Sequence, residues 1–444
     1  MKLYDSLIKF VEQKLGPVAG KLGSQRHIGA LRDGFLVAMP FIIVGSFILI
    51  FANPPFAADT TNTFGRIWLD FVAAHRATIV MPWTMSMGIM SLFITMGVAQ
   101  SLAKSYKMDQ VGAAALSVMT FLLVAAPEKG WALPLNHFGG TGIFTALLSA
   151  YYSVELTRFL KERNITIRMP EQVPPAIAAS FALLIPVLTI FLTAYPLSLF
   201  LQANFGMQIP DAVMMLFSPL VSASNSLPAI IGALLLCQLL WFAGIHGANI
   251  VVGILSPIFL TNIAGNAAAY AAGEPLPNLF TQPFWDFYIF IGGAGATLAL
   301  VILMSFSKAT HLRSVGRMSA LPGLFQINEP VMFGAPVVMN ATLFLPFVLA
   351  PVVNAVIAYI AVNTGLVDRA IAVTPWTTPA LIGAAWGAGW VLKASILTAV
   401  LMVIDVLIYY PFFKVYEKQV LAEENAVAAS QTVAPVEGGQ QVTA

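Results

Sequence analysis

Charged side chains are scarce in this sequence. Asp, Glu, Lys and Arg make up 9% of its 444 residues, where an ordinary soluble domain carries about 25%. The net charge is only +2, and no run of lysines and arginines interleaved with aromatics occurs, which argues against a nucleic-acid partner. Cysteine is nearly absent as well. The single Cys237 can close no internal disulfide and supply no zinc cluster, and its setting, Leu234 to Leu240, reads as apolar packing. No Gly-x-x-x-x-Gly-Lys-Ser/Thr loop, Gly-x-Ser-x-Gly elbow or His-Glu-x-x-His helix is present, so a built-in nucleotide motor, a serine hydrolase and a zinc protease all lose their support. No catalytic residue, metal site or cofactor is expected. Nor is a cleavable signal: residues 1–33 are too charged, and the apolar run from Gly34 is too long for one.

What the chain has in abundance is apolar surface. Hydrophobic residues make up 58% of it, and mean hydropathy is +0.83. Membrane lipid is therefore its solvent. A spanning helix needs about 20 apolar residues, because unpaired backbone groups in hydrocarbon are costly and a helix pairs its own. The length leaves room for roughly ten spans. Candidate spans fall at 34–52, 79–100, 111–127, 141–157, 177–200, 227–245, 249–268, 285–306, 342–362 and 392–413. Ahead of them, residues 3–15 set Leu3, Leu7, Phe10, Val11 and Leu15 on one helical face, the pattern either of an interfacial helix or of a solvated face packed on protein. With the N-terminus inside, the cytoplasmic segments hold 17 of the 22 lysines and arginines, which predicts both termini in the cytoplasm.

Two apolar regions resist an up-and-down bundle. Met318 to Asn340 contains three prolines and two glycines, and Thr374 to Trp390 begins Thr-Pro-Trp-Thr-Thr-Pro. Broken backbone at membrane depth persists only where it is buried in protein or lines a wet cavity, so both predict re-entrant segments around a site. The resulting organisation is a cytoplasmic amphipathic segment 1–33, a scaffold domain 34–204 with spans one to five, a linker 205–226 that forms an interfacial helix, a substrate-binding domain 227–415, and a disordered cytoplasmic tail 416–444.

Ionisable groups inside a membrane span are functional candidates by default. His246, in Trp241-Phe-Ala-Gly-Ile-His-Gly-Ala-Asn249, stands at a span boundary between glycines that would let backbone approach a ligand. A neutral imidazole offers one donor and one acceptor, which suits sugar hydroxyls; the competing reading is a core histidine bonded to backbone. Glu329 follows Asn328 and precedes Pro330, whose ring frees the chain from helix. A carboxylate there would accept two hydroxyls, or serve as an ion-pair partner or a proton relay. Trp376 and Trp241 offer aromatic faces for a pyranose, against the alternative of interfacial anchors. The run Gly292-Gly-Ala-Gly-Ala-Thr297 superficially suggests a phosphate-binding turn, but its place inside a candidate span favours close helix packing.

In this order, His246-Gly247, Ile291 to Leu298, Gly323-Leu-Phe-Gln-Ile-Asn-Glu-Pro330 and Pro375-Trp-Thr377 resemble the IIC membrane component of the bacterial phosphoenolpyruvate:sugar phosphotransferase system, lactose/cellobiose/diacetylchitobiose family. The likeness covers about residues 20–415. It implies an all-α polytopic membrane protein of about ten transmembrane helices with re-entrant hairpins, working as an elevator-type transporter and pairing as a homodimer through its N-terminal half. It implies a sugar-specific permease of the bacterial inner membrane for a β-linked disaccharide such as cellobiose or diacetylchitobiose, held by His246, Glu329 and Asn328 with Trp376 and Trp241 against its rings. It also implies separate IIA and IIB proteins, the latter donating from a phosphocysteine, because this chain has no phosphoryl-carrying residue of its own. The rival reading is an ion-coupled secondary sugar transporter in which Glu329 and His246 relay protons.

Overall fold

The computed structural model describes residues 24–54, 59–127, 135–167, 172–335 and 340–433, with isolated positions at 17, 21, 56, 133, 169, 170 and 337. The expected interfacial helix at 3–15 and the final eleven residues of the tail lie outside them. Among the described residues the fold is helical throughout, without a strand.

The first body begins with α1 (Arg26–Phe51), opened by the Gln25 side chain accepting from the Ile28 amide at 2.8 Å. There follow α2 (Thr63–Thr84), α3 (Met90–Ser105), α4 (Gln110–Ala125) and α5 (Ile143–Glu162), then α6 (Pro175–Ala182) and α7 (Leu184–Phe205). Asp109 caps α4 by accepting from the amides of Val111 and Gly112, the usual way a carboxylate satisfies orphan donors at a helix start. The expected span 79–100 is not one helix. It takes the end of α2, a break at Met85–Ile89, and most of α3.

Residues 205–226 contain α8 (Ile209–Ser224), which meets α9 (Leu227–Phe242) at 82°. Beyond it lie α10 (Gly247–Ala272), α11 (Leu298–Ser305), α12 (Thr310–Leu324), α13 (Glu329–Gly334), α14 (Ala341–Asn363), α15 (Ala380–Gly387) and α16 (Leu392–Val433). Among the described residues, six helices are long and apolar enough to cross a bilayer, or seven if the bent α8–α9 pair counts as one.

Three further expectations need correction. The segment 285–306 is not a continuous span: a π turn at Trp285–Ile289 and a glycine turn interrupt it before α11 begins. Within that turn Gly292, Gly293, Gly295 and Ala296 all have positive φ, so the run is irregular backbone rather than a helix-packing surface. The tail is not disordered from residue 416, since α16 continues to Val433. Glu417 accepts from the Ser307 hydroxyl and the Lys308 amide, and Glu424 accepts from the amides of Thr310 and His311. These carboxylates cap the start of α12, so the extension has partners that its composition did not disclose.

The buried apolar residues separate into two main cores. One joins α1, α3, α4 and α5, and the other runs from Ile230 to Val420. Helix α10 bridges them: Ile250, Val251 and Phe259 belong to the second core, while Leu260, Ile263 and Ala267 belong to the first.

Candidate functional site

The site is built where three helix ends and one broken segment converge. Helix α9 ends at Phe242, and Gly244 just beyond it adopts φ +76° while Ile245 returns its amide to the Leu240 carbonyl at 2.9 Å. This leaves His246 as the N-cap of α10, its Nδ1 accepting from the Asn249 amide at 3.2 Å. An Nδ1 that accepts cannot also carry the proton, so in the neutral ring the proton sits on Nε2. That Nε2 lies 3.5 Å from Oε1 of Glu329. The expected close approach of a ligand to glycine does not hold at Gly247, where an added Cβ would lie 2.1 Å from the Cys237 carbonyl oxygen. Gly247 is needed for packing against α9.

Glu329 opens α13 after a non-helical link at residues 325–328. Two amide side chains hold this link against the glycine turn. Gln326, at φ +67°, donates to the Asp286 carbonyl at 2.8 Å and accepts from the Gly292 amide. Asn328 donates to the Ala294 carbonyl at 2.8 Å. A Cβ on Gly293 would lie 2.7 Å from Asn328 Cγ, and its φ of +95° already excludes most side chains. The glycine turn and the Asp286 carbonyl therefore anchor the backbone immediately before Glu329.

All five residues singled out from the sequence, His246, Glu329, Asn328, Trp376 and Trp241, line one cavity of about 300 Å³. They do not share one setting. His246 and Glu329 are partly exposed, with side-chain exposures of 39% and 45%, and Trp376 is 47% exposed on the Pro375–Thr378 turn. Trp241 is buried, its ring 4.3 Å from the imidazole of His246, so it backs the histidine. Asn328 is buried with its amide nitrogen already engaged.

Residue patterns alone missed Asn249, Asp286, Gln326 and Gly293, which line the same cavity. Asp286 has a buried Oδ2 with no hydrogen-bond partner among the described residues. An intramembrane carboxylate is a signal in itself, and Asp286 was legible by that rule. Gln326 and Gly293 carried no such signal, because their role exists only once the two broken segments touch. Among the described residues no group of three or more His, Cys, Asp or Glu is arranged to hold a metal.

The arrangement offers an N–H donor, carboxylate acceptors and an exposed indole around a cavity at the small end of the usual range for ligand sites, about 300–1,000 Å³. That is equipment for a neutral, hydroxyl-rich ligand with apolar ring faces. His246, Asn249, Asp286 and Glu329 are among the polar side chains of the lining that a ligand hydroxyl can meet.

The profile of the EIIC family of the phosphotransferase system matches residues 32–351. The cellobiose-specific EIIC component of Geobacillus stearothermophilus is 39% identical over 95% of this chain and 97% of its own length. The lichenan permease IIC component of Bacillus subtilis (strain 168) is 36% identical over 96% and 97%. In three dimensions the chain is similar to the crystal structure of ChbC, the IIC component of the N,N'-diacetylchitobiose-specific phosphotransferase system, with a TM-score of 0.86, 38% identity, and coverage of 94% of this chain and 99% of that one. The ion-coupled reading falls with these findings, and the chain belongs to the EIIC family, the membrane permeases of the sugar phosphotransferase system.

Proposed function

We propose that the cavity binds a β-linked disaccharide of the cellobiose or diacetylchitobiose type and that the chain carries it inward for phosphorylation by a separate IIB protein. The observation that carries this reading is the placement of the His246 Nε2 and the Glu329 carboxylate, 3.5 Å apart, in one cavity with the exposed face of Trp376. Glu329 accepts from sugar hydroxyls, His246 donates to one, and the indole covers an apolar ring face. Asn328 and Trp241 act one step back, through the glycine turn and the imidazole. Asp286 offers a further acceptor.

In the transfer step the sugar hydroxyl oxygen attacks phosphorus, the O–P bond forms, the S–P bond of the IIB phosphocysteine breaks, and the thiolate leaves. Glu329 takes the hydroxyl proton as general base. The product carries about −1.5 to −2 charges and cannot recross hydrocarbon.

Cavity and helix arrangement support an elevator-type movement, because every cavity-lining residue belongs to the segment from Trp241 to Trp376, whose core is largely separate from that of α1 to α5. Ten crossings follow if α4, α5, α9 and the broken 282–305 segment are counted with the six long helices. The N-terminal body is then the homodimer scaffold, and both termini are cytoplasmic.

The test is titration of purified protein with cellobiose, diacetylchitobiose, lactose and salicin, followed by IIB-dependent phosphorylation. Saturable binding of a β-linked disaccharide, lost in Glu329→Ala, is expected. Absence of binding to all four overturns the substrate assignment. Unchanged phosphorylation in Glu329→Gln with binding intact overturns the general-base role.

A further inference from the structure

Away from the cavity, the buried carboxylate of Asp405 has neither a role in the transport scheme nor a helix start to cap. Asp405 lies well inside the long helix α16, 1% exposed, and faces Asn354 of α14, which is 0% exposed. One hydrogen bond joins them: Asn354 Nδ2 donates to Asp405 Oδ2 at 3.0 Å. The other oxygen of each group, Asp405 Oδ1 and Asn354 Oδ1, is buried and has no partner among the described residues. Two unsatisfied acceptors on the same pair of planar groups are costly, because each was stripped of water and received no donor in return.

We propose that Asp405 is held as a neutral carboxylic acid and forms a two-bond ring with Asn354, the amide N–H donating to one carboxyl oxygen and the acid O–H donating back to the amide oxygen. A single proton then satisfies both orphans at once. An ionised carboxylate served by one amide inside a span would instead bear most of its desolvation cost uncompensated. A metal ion is a poorer occupant, since two oxygens fall far short of the six or more that hard cations such as Ca²⁺ collect.

The ring has a consequence for the site. One turn further along α16, the Tyr409 hydroxyl donates to the Gly295 carbonyl at 2.7 Å, and it is buried there. Gly295 belongs to the turn whose Ala294 carbonyl receives Asn328, the neighbour of Glu329. Asp405 and Asn354 thus lock α14 to α16 at the level from which Tyr409 holds the glycine turn. They are positioning residues for the cavity, and this second part rests on the sugar-binding reading above.

Infrared spectroscopy on the purified full-length protein is the direct test. Wild type is expected to show a carboxylic-acid carbonyl band that shifts in deuterated buffer and disappears in Asp405→Asn. Because Asn repeats the two-bond ring without a charge, Asp405→Asn should keep both thermal stability and sugar affinity within about twofold, whereas Asp405→Ala, leaving Asn354 unpaired, should weaken sugar affinity roughly tenfold. If Asp405→Ala fails to fold, the infrared band and the Asn variant still decide the question. Absence of the acid band, as a bridging water beside an ionised carboxylate would give, overturns the proposal. Asp405→Asn as damaging as Asp405→Ala overturns it too. The infrared result does not depend on which ligand the cavity takes, so the proton can be confirmed even if the sugar assignment fails.

Discussion

His246 Nε2 stands 3.5 Å from Glu329 Oε1, two groups brought together by the starts of two helices far apart in sequence. The histidine does two jobs with two nitrogens, because Nδ1 caps α10 through the Asn249 amide and Nε2 faces the carboxylate.

These jobs separate by mutation. His246→Asn should preserve the cap, since Asn is among the best N-cap residues, while removing the Nε2 donor. Thermal stability should stay near wild type and cellobiose affinity should fall up to about tenfold, the upper end of the range for one hydrogen bond between neutral groups. His246→Ala should lose affinity and also about 1 kcal/mol of stability. Calorimetric titration beside a thermal melt distinguishes the two.

Gly293→Ala is expected to abolish sugar binding without unfolding the protein. The added Cβ would lie 2.7 Å from Asn328 Cγ at a φ of +95°, and backbone strain of that kind costs on the order of 1–3 kcal/mol locally. Gly253→Ala is the control, because nothing lies within 4 Å of its Cβ position. Binding by the Gly293 variant equal to that of the control would show that the glycine turn does not set the position of Glu329.

Trp376 should behave as a stacking surface. Trp376→Phe should retain most of the affinity for a disaccharide, and Trp376→Ala should lose roughly tenfold, in keeping with aromatic contacts of about 0.5–1.5 kcal/mol beyond their buried area. Tryptophan fluorescence should respond to sugar in wild type, with a smaller change in Trp376→Phe.

The long extension of α16 should matter to α12. In Glu424→Ala the amides of Thr310 and His311 lose their acceptor, so hydrogen exchange at those two positions should speed up while the amides of α14 stay protected. Equal exchange rates in both proteins would mean that the cap has no hold on the helix start.

Much of this protein is legible in its residue order. Low charge and high hydropathy require lipid as solvent, and Pro330, Pro375 and Pro379 mark backbone that cannot continue as helix. His246, Glu329 and Trp376 stand out because polar groups beside broken apolar runs need a reason to be there. Continuity is harder to read. The stretch 285–306 is apolar enough for a span, yet its glycines take positive φ because Gln326 and Asn328 arrive from elsewhere to bond the exposed backbone. The helix after residue 416 is hidden for a similar reason, its caps being supplied across space to α12.

The sequence by itself determined the solvent, the helical class, the places where helices break, and the chemical kinds of group that gather around those breaks. These follow from local properties: apolar length, missing backbone donors and the cost of charge in hydrocarbon. Only the tertiary structure decided which broken segment meets which, that Asn328 and Gln326 hold a turn, that Trp241 backs His246, and that Asp405 finds Asn354. Those are pairings between distant segments, and their energy depends on distance and orientation, which residue order does not contain.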